Sequence, residues 1–213
     1  ILYGQMMQSI MYQYSLEAMR FNDRCNGALF WMYHDVWGEN GWSIVDYYMR
    51  RKASYYGVKR ALAPIRAIFR QQAEDVCLKI INETSQEIRI QAQVGFLSYD
   101  GERNDTELRQ WKLPPYSCKT VYSCKAADVS ESGTLFFIPS DTDMTEMAYW
   151  YRGSFRELCV PKPCLEVNQR ADGDNTLVTV RSDSFAHGVH FSEDYEANDN
   201  YFYMYTGMQR SIL

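Results

Sequence analysis

The chain has 213 residues, enough for one large domain or two smaller ones, and its 46% hydrophobic and 23% charged residues are ordinary for a globular protein. The net charge of −5 and the pI near 5.3 argue against nucleic acid or an anionic membrane surface as a partner. No apolar run approaches the roughly 20 residues that a membrane-spanning helix needs.

The first 66 residues have the pattern of an α/β fold. From residue 2 to 21, apolar side chains recur every three or four positions, which predicts one stripe of an amphipathic helix. The stripe consists of Tyr3, Met7, Ile10, Tyr14, Ala18 and Phe21. The short apolar run at 28–33 is typical of a strand buried on both faces. A second helix is predicted from Ala53 to Leu62, and Pro64 ends it.

The rest of the chain has an all-β pattern. Residues 87–95 alternate polar and apolar side chains, and "GTLFFIP" and "EMAYWYRG" are typical of further strands. The stretch "VPKPC" at 160–164 has the character of a linker, and "DGDN" at 172–175 predicts a tight turn between two strands. We therefore predict β-sandwich modules at 67–158 and 159–213. One strand and two helices cannot pair their own edges, so we expect residues 1–66 to be an incomplete domain.

The six cysteines and three histidines predict no metal site. No Cys-x-x-Cys pair occurs, so we expect free, buried thiols. On a strand, the rings of His187 and His190 would point to opposite faces, which disfavours joint ligation of a metal. We therefore expect neither a metal nor a cofactor.

A candidate binding site follows the apolar run at 28–33. In α/β folds, ligands bind at the C-terminal ends of strands and in the loops that follow. Trp31, His34, Asp35 and Trp37 occupy that position. An indole can stack on a pyranose ring while imidazole and carboxylate groups bind its hydroxyls. The spacing is equally compatible with Trp31 in a hydrophobic core and Asp35 as a loop cap.

Two stretches of this sequence resemble family 2 glycoside hydrolases, particularly their β-mannosidase branch. Residues 25–64 resemble the eighth strand, loop and eighth helix of the catalytic (β/α)8 barrel. The matching features are Gly27, Phe30-Trp31, Asp35, Trp37, Trp42-Ser43, Asp46-Tyr47-Tyr48, Lys52, Tyr55-Tyr56, Lys59-Arg60 and Pro64. Residues 185–212 resemble the C-terminal Ig-like module of the same enzymes. Here the matching features are Phe185-Ala186, Gly188-Val189, Asp199-Asn200-Tyr201-Phe202 and Gly207.

The resemblance implies a multidomain fold, α/β plus all-β, in which the last helix–strand–helix of a barrel precedes Ig-like β-sandwich domains. It implies part of a retaining exo-β-glycosidase that removes terminal β-mannosyl residues from a carbohydrate substrate. Trp31, His34, Asp35 and Trp37 would line one wall of the −1 subsite, and the rest of the barrel domain would be the packing partner.

No catalytic residue is expected in this chain. Retaining enzymes use two carboxyl groups about 5 Å apart, and the resemblance implies glutamates on the fourth and seventh barrel strands, before residue 1. Asp35 and Glu39 share one loop, and nothing places them on opposite sides of a sugar. Glu17 is expected on a solvated face of the first helix.

The resemblance leaves the sugar open. Met32 and His34 stand where the β-mannosidase branch has Gln and Asn, so a polar contact in the subsite is in doubt. Met32, with residues 46–48 and 56–57, is also similar to the exo-β-glucosaminidase branch. No signal peptide is visible, and a periplasmic, extracellular or cytoplasmic location stays open.

A non-catalytic alternative is a carbohydrate-binding or interaction module. The stretch "NYFYMY" would then place Tyr201, Tyr203 and Tyr205 as an exposed row on one face of a strand. The same alternation arises in a core strand, which makes this alternative the weaker one.

Overall fold

The computed structural model describes residues 2–25, 27–38, 41–141, 144–154, 156–192 and 195–213. The chain divides into two units. Unit 1 consists of Ile1–Leu16, Gly27–Ala61 and Pro161–Leu213. Unit 2 consists of Glu17–Asn26 and Leu62–Val160.

Unit 2 contains a sandwich of two antiparallel sheets. Its strands are β1 (Ile65–Gln72), β2 (Asp75–Asn82), β3 (Ile88–Ser98), β4 (Asn104–Leu113), β5 (Ser117–Lys125), β6 (Gly133–Pro139) and β7 (Ala148–Tyr151), and a short 3₁₀ helix spans Ala126–Asp128. One sheet has the order β1-β2-β5 and the other the order β4-β3-β6-β7. The predicted alternation in β3 is confirmed, because its side chains are alternately buried and exposed over the first half of the strand.

The core of unit 2 lies between the inner faces of these sheets. Leu78 and Ile80 contribute from one sheet, and Val94 and Phe137 from the other. Trp111 packs against the same core, with its ring centroid 6.2 Å from that of Phe137. Each fully buried side chain of this size contributes about 1.5–3 kcal/mol through removal of apolar surface from water. The two sheets of residues 65–151 therefore bury each other's apolar faces.

The described residues include two α-helices, as predicted. They are α1 (Leu2–Phe21), which contributes residues to both units, and α2 (Ala53–Ala61) in unit 1. In the described part of the chain, neither is long and apolar enough to cross a membrane. The stripe predicted on α1 is covered only in part: Tyr3, Met7 and Tyr14 are 84%, 55% and 63% exposed, whereas Phe21 is buried.

The expectation that Glu17 lies on a solvated face of α1 is wrong. Its Oε1 accepts hydrogen bonds from Nε of Arg66 at 3.0 Å and from Nη2 of Arg66 at 2.7 Å. The Arg66 side chain is only 3% exposed, and it also donates to the carbonyl of Met147. A buried guanidinium requires a counter-charge and hydrogen-bond acceptors, and Glu17 supplies both within unit 2.

Residues 28–33 do not form the predicted strand buried on both faces. In the described structure these residues belong to no strand, although Phe30 packs into a small core of unit 1. Leu29 is 100% exposed and Trp31 is 76% exposed. A strand buried on both faces needs strands beside it and layers above and below it, and the described residues of unit 1 supply neither at this place.

The remaining strands of unit 1 form two small antiparallel sheets. They are β8 (Leu165–Asp172), β9 (Asn175–Ser182), β10 (Ala186–Val189), β11 (Phe202–Met204) and β12 (Gln209–Ile212). The sheet orders are β12-β9-β8 and β10-β11, around a core that includes Val180, Phe202 and Met204. The predicted turn at 172–175 is confirmed as the β8–β9 hairpin. Gly173 has φ +63°, which glycine adopts without strain.

The two stretches that carry the family resemblance meet inside unit 1. Arg60 of α2 donates through Nη1 to Oδ1 of Asp199 at 2.9 Å and through Nη2 to the carbonyl of Tyr201 at 3.0 Å. The other carboxylate oxygen of Asp199 accepts from Nη2 of Arg210 at 2.5 Å. Arg60 and Asp199 are 6% and 8% exposed. One buried carboxylate therefore joins α2 to two parts of the C-terminal β region.

The predicted exposed row of Tyr201, Tyr203 and Tyr205 is wrong. Tyr201 is 4% exposed and packs against Tyr56 of α2, with ring centroids 6.1 Å apart. Its other neighbour is His190, whose ring is parallel to it at 5.3 Å. Tyr203 and Tyr205 are half-buried. The φ of Tyr201, +54°, interrupts the extended backbone on which the alternation depended.

All six cysteines are free thiols, but the expectation that they are buried is wrong. Cys118, Cys159 and Cys164 are exposed, and the other three are half-buried. Although Cys118 is exposed, partial desolvation of its sulfur raises the pKa of the thiol, which keeps it protonated at neutral pH.

Candidate functional site

The residues predicted to bind a sugar lie on a folded stretch of unit 1, residues 31–52. Backbone hydrogen bonds join residues 32–35 to residues 44–45. The amide of Asp35 donates to the carbonyl of Val45 at 3.1 Å, and the amide of Val45 donates to the carbonyl of Tyr33 at 2.9 Å. The amide of Lys52 then donates to the carbonyl of Ile44 at 3.0 Å. Three short segments therefore lie side by side and fix the ends of the loops between them.

Asp35 and Lys52 form the buried centre of this stretch. Asp35 is fully buried, and its Oδ2 accepts a hydrogen bond from Nζ of Lys52 at 2.7 Å. The same ammonium donates to Oγ of Ser43 at 2.7 Å and to the carbonyl of Gly41 at 3.3 Å, so all three of its protons are used. Burial alone would raise the pKa of Asp35, but hydrogen bonds from Lys52 and Ser43 and the ammonium charge outweigh it, and the pKa is lowered.

Trp31 and Trp42 are held by their main chains while their indoles point outward. Oη of Tyr12 on α1 lies 2.5 Å from the carbonyl oxygen of Trp31 and 3.0 Å from that of Trp42. Nε2 of Gln8 donates to the same Trp42 carbonyl at 2.8 Å. The indoles are 76% and 74% exposed. One helix therefore holds the main chains of two tryptophans close together, and both indoles are exposed.

Trp37 and His34 differ in how far their side chains are exposed. Trp37 is 61% exposed. His34 is half-buried, and its Nε2 is buried without a hydrogen-bond partner among the described residues. Of the four predicted site residues, Trp31 and Trp37 present their rings to the surface, His34 does so in part, and Asp35 does not. Glu39, which shares the loop with Asp35, lies outside the described residues.

A tight turn at 46–50 adds two more aromatic rings. The carboxylate of Asp46 accepts hydrogen bonds from the amides of Tyr48 and Arg50, both at 2.9 Å, and from Nε of Arg50 at 2.7 Å. Tyr47 and Tyr48 are 49% and 68% exposed, and their rings meet edge to face at 5.3 Å. The turn is braced by its own side chains, so it presents these rings in a fixed arrangement.

The site depends on several residues to which the sequence assigned no role. Lys52 and Asp46 appeared only as matching features of the resemblance. For Asp46 a local signal exists, because an aspartate side chain often accepts hydrogen bonds from backbone amides two to four residues later and so stabilises a turn. Gln8 and Tyr12 carried no local signal, because their partners lie 34 and 19 residues away.

Among the described residues of this stretch, no carboxylate is left without a cationic partner. Asp35 and Asp46 are the carboxylates described within residues 31–52, and each is engaged by a cationic side chain. Across the described ranges, no group of three or more histidine, cysteine, aspartate or glutamate residues could hold a metal ion. Flat indole and phenol rings with hydrogen-bonding edges suit the stacking and orientation of a sugar ring.

Comparison with known proteins found relatives for part of the chain. No protein-family model matches it. Over 41 residues it is 54% identical to beta-mannosidase B of Thermothelomyces thermophilus, which is 19% of this chain and 5% of that protein. Over 51 residues it is 43% identical to beta-mannosidase B of Aspergillus niger, which is 24% of this chain and 6% of that protein.

Solved structures match nearly the whole chain. The β-D-mannosidase of Dictyoglomus thermophilum superposes with a TM-score of 0.89 at 23% identity, covering 98% of this chain and 26% of that one. The exo-chitosanase of Amycolatopsis orientalis has a TM-score of 0.68 at 17% identity, covering 98% of this chain and 30% of that one. The chain thus spans less than a third of either enzyme. The predicted resemblance to β-mannosidases is confirmed in sequence over about a quarter of the chain, and the fold of nearly the whole chain matches part of a β-mannosidase and part of an exo-chitosanase.

Proposed function

We propose that this chain is part of a retaining exo-β-glycosidase that hydrolyses terminal β-mannosyl residues, and that residues 31–52 form one wall of its −1 subsite. The observation that carries the proposal is the pair of exposed indoles, Trp31 and Trp42, held by Tyr12 beside the buried Asp35–Lys52 ion pair. The relatives named beta-mannosidase support the choice of sugar.

Each predicted site residue has a distinct role in this proposal. Trp31 stacks on the face of the terminal sugar, and Trp37 shapes the rim of the subsite. His34 and Asp35 lie behind these rings, where Asp35 fixes the loop through Lys52 and keeps the indole in position. The acid/base and nucleophile are glutamates outside this chain, and hydrolysis proceeds by double displacement with retention.

The proposed domain assignment places residues 1–66 at the end of a catalytic barrel and Ig-like modules at 67–158 and 159–213. An exposed apolar surface on unit 1 supports the first part. Tyr3, Met7, Met11 and Tyr14 on α1 are each more than half exposed. Large apolar side chains rarely cluster at a surface that nothing covers, so we propose that the rest of the barrel domain packs on this helix.

The exo-β-glucosaminidase reading is the second candidate. It is favoured by Met32, which departs from the β-mannosidase branch, and by the fold match to an exo-chitosanase. The two candidates differ in the group at the sugar's second carbon, an axial hydroxyl against an equatorial amine. They are therefore separated by the substrate and not by the aromatic wall.

The test uses the natural gene product that contains these 213 residues. We expect it to hydrolyse 4-nitrophenyl β-D-mannoside faster than the corresponding β-D-glucosaminide. Trp31→Ala should lower kcat/KM by about 10- to 100-fold, because it removes the stacking surface and loosens the wall. The control is Tyr116→Ala, which removes a ring that is 75% exposed in unit 2 and should leave kcat/KM unchanged. Faster hydrolysis of the glucosaminide would select the second candidate, and no hydrolysis of either would refute both.

A further inference from the structure

The strand β8 is an unusually open edge. All eight of its residues are exposed, and it lies at the end of the sheet order β12-β9-β8. Within the described ranges, β9 is its only strand partner. An edge strand of this length presents a row of unpaired backbone groups that another strand can pair with.

The direction of these backbone groups follows from the hairpin. In a two-residue hairpin, the residues that flank the turn form a hydrogen-bonded pair, here Asp172 and Asn175. The other end of the strand agrees, because the amide of Asp183 donates to the carbonyl of Cys164 at 3.3 Å. Even-numbered residues of β8 therefore direct their backbone groups to β9. Odd-numbered residues, from Leu165 to Ala171, direct theirs to the open edge.

Apolar side chains on β8 are left uncovered. Val167 pairs with Val180 of β9, and paired residues share a face of the sheet. Val180 is 1% exposed in the core, whereas Val167 on the same face is 59% exposed and Leu165 is 38% exposed. The core of this module therefore ends before β8, and a further strand would extend the apolar face.

The charges on β8 lack partners within the strand. Neither Glu166 nor Arg170 forms an ion pair with a described residue. On β4, which is also an edge strand, Arg109 pairs with Glu107 at 2.8 Å. The difference is one of spacing: Glu107 and Arg109 are two residues apart on one face, whereas Glu166 and Arg170 are four apart and too distant to meet along a strand.

We propose that β8 pairs antiparallel with β8 of a second copy of this chain, about a two-fold axis at Asn168. The two three-stranded sheets then form one sheet of six strands. In this register Glu166 of each copy faces Arg170 of the other, and Val167 faces Gln169. A shift by two residues in either direction places Glu166 opposite Asn168 or Asp172 and loses both attractions. The charges therefore select one register and one occupant, a second copy.

The pairing should be weak and sensitive to salt. It buries one strand edge per copy, which is less than the 1,200 Å² or so of a stable interface, so we expect a Kd of roughly 10–100 μM at low ionic strength. The charged pairs are exposed to solvent, so salt near 0.5 M should weaken the dimer.

The test is sedimentation equilibrium of the natural gene product that contains these 213 residues, with charge-reversed variants. Glu166→Arg and Arg170→Glu each convert two symmetry-related attractions into repulsions, so each should raise the Kd about tenfold or more. The double variant restores both attractions with the charges exchanged and should return to within about threefold of the parent. Glu107→Arg on β4 is the matched control and should leave the Kd unchanged.

Two results would overturn the proposal. One is a parent chain that stays monomeric at about 200 μM and low salt, well above the expected Kd. The other is association that Glu166→Arg and Arg170→Glu leave intact, which would assign self-association to a surface other than β8. Neither measurement involves a sugar, so the result is separate from that of the proposed glycosidase activity.

Discussion

Two regions of this molecule bury their side chains in different ways. The sandwich of unit 2 covers its own apolar faces, so that Leu78, Val94 and Phe137 lie in one continuous core. In residues 27–61 of unit 1, the fully buried groups include a carboxylate, Asp35, and the large apolar side chains of Leu29 and Trp31 are exposed. The sandwich is stabilised mainly by apolar contacts between neighbouring strands. The second region has a small apolar core that includes Ile44 and Val58, and ion pairs and hydrogen bonds to main-chain carbonyls hold it as well.

The difference is consistent with the proposed division between support and sugar binding. Aromatic rings that stack on a ligand must stay exposed, so burial of the rings themselves cannot hold them in place. Buried charged groups can hold the main chain in place instead: Lys52 forms an ion pair with the buried Asp35, while the indole of Trp31 stays exposed. The polar network costs more to desolvate than an apolar core, and it is correspondingly sensitive to the loss of any one partner.

The largest expected effect is on the stability of the sandwich. Phe137→Ala removes a fully buried ring from the core of unit 2 and should lower the free energy of unfolding of that unit by about 4 kcal/mol. Leu29→Ala removes a fully exposed side chain and should change stability by less than about 0.5 kcal/mol. Hydrogen exchange resolved by peptide measures each region separately. Equal losses from the two substitutions would contradict the comparison.

A smaller effect is expected at the buried ion pair of unit 1. Arg60→Leu leaves Asp199 with Arg210 alone and removes the donor to the carbonyl of Tyr201, which should cost about 3 kcal/mol. Peptides from α2 and from residues 196–213 should lose protection together. Arg109→Leu, in an exposed pair on β4, is the control and should cost less than about 1 kcal/mol. Protection that falls in α2 alone would show that the two stretches are not coupled.

The third effect is on pH dependence and should appear in unit 1. Burial, and then the charge of Arg60, lower the pKa of His187 to about 4, against 6.5 for an exposed histidine. Between these values the unfolded chain binds a proton that the folded chain does not, so this group's contribution to stability is lost as pH falls from about 6.5 to about 4. We expect a loss on the order of 2 kcal/mol, since His187 retains some exposure.

His187→Gln tests this dependence. The variant cannot titrate, so its free energy of unfolding should fall less than that of the parent between pH 7 and pH 4.5. All three histidines lie in unit 1, so the sandwich serves as the internal control. An unchanged pH slope in the variant would assign the acid sensitivity to other titratable groups instead.

The parts of the fold that could be predicted are those with local patterns. The alternation in β3 and the turn at 172–175 follow from neighbouring residues, and both are confirmed. The second helix was also predicted, with an end one residue beyond the observed Ala61. Local patterns predict these elements because apolar residues recur along the sequence at the spacing that places them on the buried face of the helix or strand.

The parts that could not be predicted depend on distant partners. Arg60 and Asp199 are 139 residues apart, and the sequence around either residue does not predict its contact with the other. The run at 28–33 is apolar enough for a buried strand, but apolarity does not reveal whether other strands are present to cover it. The same limit applied to Trp31, for which the sequence left core and surface equally open until its 76% exposure was known.

The most direct test of the proposed sugar-binding wall uses the indole N–H resonances of the five tryptophans. Three of them, Trp31, Trp37 and Trp42, lie in residues 31–52, and Trp111 and Trp150 lie in the sandwich. Methyl β-D-mannopyranoside is titrated to about 100 mM, because a single stacked ring on an open wall binds weakly. We expect the resonances of Trp31 and Trp42 to shift saturably while those of Trp111 and Trp150 stay fixed. Shifts confined to the sandwich, or no shifts at all, would contradict the central claim.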